Sequence, residues 1–305
     1  MGAAVAVVEW LLDSDPSIRW QVMRDLTDAG DEAVAAERAR VAVEGWGAQL
    51  LALQEPDGRW GGGTYFPSWT STAWTLSLLR NLGLDPRSEP ARRAVVPVRE
   101  NAKWEYDDLP FFDGEVEPCI NGLAVALGSY YGQDVRVIVD RLLGDQLSDG
   151  GWNCEQERGS TRGSFHSTIC VLEGLLEHER ATGVTPELTA ARLRGQAYLV
   201  ERRLLHRLST GEVIDPDWSQ FSFPTYYFYD VLRALDYLRD ASAVPDERLE
   251  EAVALVEKKR TDDGRWLLEN RHPGETQLDL DESEGNPSRW NTLRALRVLR
   301  WYDQR

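Results

Sequence analysis

The sequence predicts an all-α protein, a single closed α/α toroid of about six helical hairpins that spans residues 1–305. Three observations favour this fold. A D-G-x-W tetrapeptide occurs three times, ending at Trp60, Trp152 and Trp266. Each copy lies between two segments with the apolar spacing of helices, and strand patterns are scarce. Similar PSIRW and PSRW segments near the two ends favour closure of the repeats into a ring over an open solenoid.

Six apolar segments are predicted to form the inner helices of this ring. Several begin with Pro, Ser or Thr, which suit the start of a helix. In chain order they are 16–28, 68–83, 117–132, 162–179, 223–240 and 287–301. More strongly charged segments alternate with them and are predicted to form the outer layer. These lie near 34–54, 89–101, 134–146, 187–205 and 245–260. The short apolar run at the N-terminus carries early acidic residues, which predicts a first helix and not a signal peptide.

The charge and cysteine content exclude several classes of function. The chain has 34 Lys and Arg against 51 Asp and Glu, a formal net charge of −17. Such a balance disfavours a nucleic-acid groove and an anionic membrane surface, both of which attract cationic proteins. No apolar run approaches the roughly 18 to 20 residues of a transmembrane helix. Three cysteines are too few for a disulfide scaffold, so we expect a cytoplasmic protein. Whether it needs a protein partner stays open.

The repeat loops carry a resemblance to a known superfamily. Residues 54–60 and 146–152 both match Q-x-x-D-G-x-W. Helix pairs joined by such loops resemble squalene cyclases and the β-subunits of protein prenyltransferases, which together form the terpenoid cyclase and protein prenyltransferase superfamily. The resemblance covers essentially the whole chain as repeats. It implies an α/α toroid whose central cavity, often walled by aromatic side chains, accommodates isoprenoid chains.

The prenyltransferase branch implies a zinc site. Its members hold zinc with an Asp and a Cys two residues apart at the start of one inner helix, and with a His at the start of the next. Glu117, Cys119 and His166 stand at those places, with Glu in place of Asp. Cys154, in the loop before the helix of His166, is a further candidate ligand, and Cys170 is predicted as a core residue. Three protein ligands with an open position favour catalysis and four favour a structural site, and the sequence leaves this choice open.

The squalene cyclase branch implies a different chemistry. Its members carry a D-x-D-D acid that protonates an alkene or an epoxide. The nearest match in this chain is Asp279-Leu280-Asp281-Glu282, which ends in Glu and is followed by a loop-like segment. We expect this stretch to be a solvated acidic loop.

Asp230 and Tyr226 are the candidate catalytic acid or base residues. With Arg233 and Tyr237 they form a stripe at helical spacing on the fifth predicted inner helix. Asp230 is expected either to act as an acid or base hydrogen-bonded to Tyr226, or to pair with Arg233 where helices meet. The sequence favours neither interpretation.

Aromatic and basic side chains near the starts of the inner helices are the candidate substrate-binding residues. The rings are expected to line the cavity and to bind an apolar or cationic ligand. They are Trp20, Trp69, Trp74, Tyr226, Tyr227 and Trp290. Three arginines are candidates for binding a diphosphate, although each is also explained as an ordinary surface residue. They are Arg19, Arg162 and Arg289. The tryptophans of the D-G-x-W loops are expected to fasten loops to helix ends, and His178, His206 and His272 are expected at the surface.

The leading hypothesis is a zinc-dependent enzyme that acts on a hydrophobic, isoprenoid-like small molecule in the central cavity, by alkyl or prenyl transfer. One alternative is a metal-independent enzyme similar to terpene cyclases that uses a carboxylic acid in the cavity. The other is a non-catalytic ligand-binding module with structural zinc.

Overall fold

The computed structural model describes residues 2–281 and 283–304. Within them the chain forms thirteen α-helices and one pair of two-residue strands, which confirms the all-α fold class. The helices are α1 Gly2–Leu12, α2 Pro16–Leu26, α3 Asp31–Arg40, α4 Gly45–Ala52, α5 Thr72–Leu82, α6 Glu89–Asn101, α7 Pro118–Tyr130, α8 Arg136–Gly144, α9 Phe165–Thr182, α10 Pro186–Glu201, α11 Val231–Asp240, α12 Glu250–Lys258 and α13 Arg289–Tyr302. The strands are β1 Trp266–Leu267 and β2 Pro287–Ser288. None of the described helices is both long and apolar enough to cross a membrane.

The chain divides into two compact units. The central unit comprises Leu50–Leu199 and Gly274–Gln277. The terminal unit comprises Met1–Gln49, Val200–Pro273 and Leu278–Arg305. The prediction that one ring spans residues 1–305 stays a prediction.

The predicted helices agree closely with the observed ones. Helix α6 spans 89–101 as predicted, and α2 begins at Pro16, where Asp15 caps the helix by accepting a 2.8 Å hydrogen bond from the amide of Ser17. The largest differences are in two segments. The outer segment near 34–54 is divided into α3 and α4, and the fifth inner helix begins at Val231, eight residues later than predicted.

The D-G-x-W loops are fastened to helix ends by their tryptophans, as predicted. Trp60, Trp152 and Trp266 are fully buried. Their indole Nε1 atoms donate hydrogen bonds of 2.7 to 2.8 Å to the carbonyl oxygens of residues 50, 142 and 256, each ten positions earlier. Burying the ring and pairing its N–H fixes each loop on the preceding helix.

The same tryptophans also anchor the following helix. The amide of Trp152 donates to Thr168 Oγ1 in α9 at 3.0 Å, and the amide of Trp266 donates to Thr292 Oγ1 in α13 at the same distance. Trp266 also lies opposite Ser288 in the β1–β2 pair, and Trp152 forms an isolated bridge with Ser164. A repeat loop therefore links the helix before it to the helix after it.

Helices α7 and α9 pack closely and run parallel. A Cβ atom on Gly122 would lie 2.5 Å from the carbonyl oxygen of Cys170, and one on Gly174 would lie 2.4 Å from the carbonyl oxygen of Gly122. Further along, Ser129 Oγ lies 3.0 Å from Nδ1 of His178. The later residue of α7 therefore contacts the later residue of α9, so the two helices run in the same direction. The first turn of α7 consequently lies beside the first turn of α9.

Candidate metal centre

Three of the four predicted metal ligands meet at the start of α7. The sulfur atoms of Cys119 and Cys154 and a carboxylate oxygen of Glu117 all lie within 4.8 Å of one another. Cys119 Sγ is 3.6 Å from Glu117 Oε2 and 2.9 Å from Cys154 Sγ. The two cysteines are half-buried and Glu117 is exposed, so the cluster is open to solvent on the side of Glu117.

The loop before α7 positions Glu117 and Cys119. Glu117 is the N-cap residue of the helix, and Pro118 occupies the first position, where a missing N–H costs nothing. Asn121 braces the loop, since its Nδ2 donates to the carbonyl oxygen of Glu115 at 2.6 Å and its Oδ1 accepts from the amide of Glu115 at 2.7 Å. The carboxylate of Glu115 in turn accepts a 2.6 Å hydrogen bond from the amide of Glu117.

Cys154 follows the second D-G-x-W tetrapeptide, two residues after Trp152. Its amide donates to Ser167 Oγ at 3.2 Å, and its sulfur lies 3.2 Å from the same oxygen. The neighbouring Asn153 donates from Nδ2 to the carbonyl oxygen of Arg162 at 2.7 Å. These bonds hold the loop against the first turn of α9, which faces the first turn of α7. Ser167, for which the sequence carries no local signal, therefore orients Cys154.

The pKa values of the two thiols are shifted in opposite directions. Their mutual contact and burial raise the pKa of Cys119 well above its usual value. The same contact, together with the Ser167 hydroxyl, lowers the pKa of Cys154 against the opposing effect of burial. Cys170, the predicted core cysteine, is buried in α9.

His166 lies apart from the three-residue cluster. It occupies the first turn of α9, next to Ser167, and is half-buried. Its ring nitrogens do not belong to the group of atoms that lie within 4.8 Å of one another. Its role as a ligand, implied by the resemblance, stays a prediction.

One of the two distances measured in the cluster fits zinc, and the other is too short. In a tetrahedral site with Zn–S near 2.3 Å and Zn–O near 2.1 Å, a sulfur and an oxygen ligand are separated by about 3.6 Å and two sulfurs by about 3.8 Å. The distance from Cys119 Sγ to Glu117 Oε2 is 3.6 Å. The two sulfurs, at 2.9 Å, would have to separate by about 0.9 Å. Thiolate and carboxylate donors are ligands that zinc prefers.

Asp230 belongs to a buried polar cluster in the terminal unit. It is the N-cap residue of α11 and accepts a 2.7 Å hydrogen bond from the amide of Arg233. Ser222 Oγ donates to Asp230 Oδ2 at 3.2 Å and lies 3.1 Å from Nε2 of His272. Burial raises the pKa of the Asp230 carboxyl, although the nearby guanidinium of Arg294 opposes the shift.

The predicted helical stripe of Asp230 and Tyr226 is wrong at Tyr226. This residue precedes α11 and has a backbone φ of +49°, so it does not share a helix face with Asp230. The cause is the capping bond of Asp230, which starts the helix only after it. Tyr226 instead lies in a T-shaped arrangement with His272, with ring centroids 6.3 Å apart, and burial raises the pKa of the Tyr226 hydroxyl.

Two of the three histidines expected at the surface are buried. His272 is stacked on Phe228, with ring centroids 3.9 Å apart, and is 9% exposed. His178 is also buried, and burial lowers its pKa. Their partners, Ser222 and Ser129, are 50 and 49 residues away in sequence, which is why no local pattern pointed to them.

The candidate aromatic residues are half-buried or buried. In the central unit, Trp69 and Trp74 pack edge to face, with centroids 5.3 Å apart. In the terminal unit, Trp290 stacks on Phe223 at 4.2 Å, and its buried Nε1 finds no hydrogen-bond partner among the described residues.

Trp20 and Tyr227 also lie in the terminal unit. The ring of Trp20 lies beneath the guanidinium groups of Arg24 and Arg38, at 4.7 and 5.1 Å from its centroid. Tyr227 stacks on Phe228, with ring centroids 4.2 Å apart. Their role in substrate binding stays a prediction.

The three candidate arginines lie in different surroundings. Arg19 donates from Nε to Glu37 at 2.6 Å, and Arg289 lies over the ring of Trp10 at 4.7 Å. Arg162 is exposed and belongs to the central unit. The first two therefore have structural contacts that explain them without a diphosphate.

The acidic stretch 279–282 is less solvated than expected in one place. Glu282 lies outside the described residues. Asp279 is exposed and pairs with Arg271, as a solvated loop predicts. Asp281, however, accepts hydrogen bonds from Ser288 Oγ and the amide of Arg289, and burial raises its pKa to about 6.

Comparison with known proteins finds similar solved structures, two of which are described here. The chain is similar to the type II terpene cyclase MstE from Scytonema in its apo form, with 16% sequence identity, a TM-score of 0.46 and coverage of 98% of this chain and 95% of that one. It is similar to a tyrosine-to-phenylalanine variant of the same cyclase, with 16% identity, a TM-score of 0.45 and coverage of 98% and 94%. No protein-family model and no curated protein matches the chain.

Proposed function

We propose that the chain is a zinc-dependent enzyme that transfers an alkyl or prenyl group to or from a hydrophobic, isoprenoid-like small molecule. The observation that carries this proposal is the convergence of Glu117, Cys119 and Cys154, whose donor atoms lie within 4.8 Å of one another. Two sulfurs and one carboxylate oxygen form a donor set typical of zinc, and three protein ligands leave a fourth position for substrate or water.

The residues of the chain have different roles at this centre. Zinc, when bound, supplies a Lewis acid that lowers the pKa of a thiol or water in the open position. Cys119 is fixed by helix α7, while Cys154 is held by Ser167 through its amide and its sulfur. Glu117 is the exposed member of the cluster, so a substrate approaches from its side.

The hydrophobic substrate class rests on the resemblance of the repeat loops and on aromatic side chains in the same unit as the cluster. Tyr65 lies 5.2 Å from Trp74, which packs against Trp69, so three rings are grouped in the central unit. Such rings bind apolar chains and, through their faces, carbocationic or cationic groups.

Metal analysis of protein purified without added zinc tests the metal part of the proposal. We expect about one zinc per chain. Cys119→Ser and Cys154→Ser should lose it, whereas Cys170→Ser, a change to the buried third cysteine, should retain it. A folded wild-type protein without zinc would overturn the proposal. The His166→Ala variant determines the ligand count, because unchanged zinc content means that His166 is not required.

Two further measurements test the enzymatic part. In cobalt-substituted protein, addition of a small thiol should change the visible absorption spectrum if the fourth position is exchangeable. An unchanged spectrum would favour a structural site and the ligand-binding module. Farnesol, a C15 isoprenoid alcohol, should quench tryptophan fluorescence saturably, while ethanol at equal concentration should not; no difference between them would contradict the hydrophobic substrate class.

The buried carboxyl of Asp230 favours a second candidate function, metal-independent acid catalysis. Its raised pKa and its bond to Ser222, which also contacts His272, are properties of a group that can hold and release a proton in a dry environment. In that case activity on an isoprenoid substrate would survive Cys119→Ser and be abolished by Asp230→Asn. The opposite pattern would support the zinc enzyme.

A further inference from the structure

The sulfur atoms of Cys119 and Cys154 are closer than their role as zinc ligands requires. They lie 2.9 Å apart, about 0.9 Å more than a disulfide bond and about 0.9 Å less than two sulfurs bound to one zinc. We propose that these two thiols are an oxidation site and form a reversible intramolecular disulfide on exposure to a peroxide. The proposal concerns regulation of the centre described above and in that respect rests on the proposed function.

The surroundings of the two thiols favour this pair over any pair with Cys170. Both Cys119 and Cys154 are half-buried, so a molecule as small as hydrogen peroxide can reach them. Cys170 is only 5% exposed and packs within α9. Cys119 is fixed in a helix, whereas Cys154 lies in a loop between Trp152 and a short 3-10 turn at 156–158, which permits a small approach.

The reaction balances with peroxide as the oxidant. The sulfur of one cysteine attacks an oxygen of hydrogen peroxide, the O–O bond breaks, and a sulfenic acid and one water form. The second sulfur then attacks the sulfenic sulfur, the S–S bond forms, the S–O bond breaks, and a second water leaves. Two thiols and one peroxide thus give one disulfide and two waters, and the two electrons pass from sulfur to oxygen. A dithiol reductant reverses the step by becoming a disulfide itself.

Oxidation would remove two of the three ligands from the centre. A disulfide sulfur no longer offers a thiolate, which leaves Glu117 as the remaining member of the cluster. The oxidised protein should therefore lose its zinc. Conversely, zinc held by Cys119 and Cys154 would slow oxidation, because a thiolate engaged as a metal ligand would be less available to attack the peroxide.

Peptide mass spectrometry tests the proposal, because trypsin places the three cysteines on separate peptides, 104–136, 142–158 and 163–180. Zinc-stripped protein is treated with hydrogen peroxide, unfolded and alkylated. We expect a cross-linked species of peptides 104–136 and 142–158 that dithiothreitol reverses, with Cys170 fully alkylated. The Cys170→Ser variant should behave in the same way, and Cys154→Ser should give no cross-link.

Two outcomes would overturn the proposal: full alkylation of Cys119 and Cys154 after peroxide, or a cross-link to Cys170. Zinc content is measured in parallel on the reduced, unstripped protein, and should fall from about one per chain to near zero after peroxide. The cross-link in protein that never binds zinc would contradict the proposed function and leave the oxidation site standing. Zinc binding without any cross-link would contradict the oxidation site and leave the proposed function standing.

Discussion

The indole Nε1 of Trp152 donates a 2.7 Å hydrogen bond to the carbonyl oxygen of Leu142. Trp266 makes the same bond to Val256, at the same distance and the same spacing along the chain. The two tryptophans differ in the unit to which they belong, because only Trp152 shares a unit with the candidate metal cluster. Trp152 lies two residues before Cys154, a member of that cluster, whereas Trp266 belongs to the terminal unit. The chain thus contains a matched pair of positions, one beside the candidate site and one outside its unit.

The first prediction uses this pair. Trp152→Phe should lower the free energy of unfolding by about 1–3 kcal/mol, because it leaves a buried carbonyl oxygen without its donor. It should also weaken zinc binding, because the loop that carries Cys154 is loosened. Trp266→Phe should cost similar stability and leave zinc affinity unchanged. Urea unfolding and a zinc competition titration measure the two quantities; equal effects of both variants on zinc would contradict the positioning role of Trp152.

The close packing of α7 and α9 predicts intolerance of a methyl group. Gly122→Ala would place its Cβ 2.5 Å from the carbonyl oxygen of Cys170, so the helices must move apart. We expect a loss of about 1–3 kcal/mol in the free energy of unfolding. Gly144→Ala, at the end of α8, meets nothing within 4 Å and serves as the control. Similar unfolding midpoints for both variants would show that the contact is not tight.

The half-buried ion pair of Asp236 and Arg297 predicts destabilisation when one partner is neutralised. The pair is bidentate, at 2.9 and 2.7 Å, and Arg297 also approaches Asp25 at 3.3 Å. Asp236→Asn removes the bidentate partner of half-buried Arg297 and leaves it the longer contact with Asp25, so it should cost about 1–3 kcal/mol in the free energy of unfolding. Glu89→Gln, which breaks the exposed pair with Arg93, should cost less than about 1 kcal/mol.

Acid titration provides a further check on Asp236. Burial alone would raise its pKa, but the charges of Arg297 and Arg239 outweigh burial and hold the pKa well below its usual value. A lowered pKa in the folded state contributes stability above the unfolded pKa near 4, and that stability is lost as the pH falls. In Asp236→Asn, the free energy of unfolding should therefore fall less steeply as the pH is lowered below about 4 than it does in the wild type. An unchanged acid limb would contradict this role.

Asp281 predicts a pH dependence of the opposite sign. Its pKa in the folded protein is about 6, raised by burial against the hydrogen bonds of Ser288 and Arg289. Between about pH 4 and pH 6 the folded state retains a proton that the unfolded state has lost, so this group's contribution to stability is lost as the pH rises. At about 1.4 kcal/mol per pKa unit, the effect is on the order of 1–3 kcal/mol. Urea unfolding at several pH values should show this slope in the wild type and not in Asp281→Asn; identical slopes would contradict it.

Local patterns in the sequence sufficed for the helices and the repeat loops. Apolar periodicity and capping residues depend on neighbours within a turn or two, so α2 and α6 were predicted at their starts. The function of the D-G-x-W tryptophans followed from their repetition. Asp230 shows the limit of this reasoning: its neighbours have helical spacing, yet its side chain caps α11 and excludes Tyr226 from the helix.

Contacts between distant residues were beyond local patterns. Residue type and the resemblance predict Cys119 and Cys154 as ligands, but the contact between their sulfur atoms depends on the parallel packing of α7 and α9. The sequence does not predict the contacts of Ser167 and His272, because the partner of each residue is distant in the chain and no local pattern identifies it. His272 was expected at the surface, and only the fold brings Ser222, 50 residues earlier, within 3.1 Å of it.

X-ray absorption at the zinc edge, on protein purified without added zinc, tests the central claim most directly. We expect one zinc per chain with two sulfur neighbours at about 2.3 Å and the remaining neighbours oxygen or nitrogen at about 2.0–2.2 Å. Cys119→Ser should abolish this spectrum and Cys170→Ser should preserve it. A zinc-free protein, or zinc without sulfur neighbours, would contradict the assignment of Glu117, Cys119 and Cys154 as the metal centre.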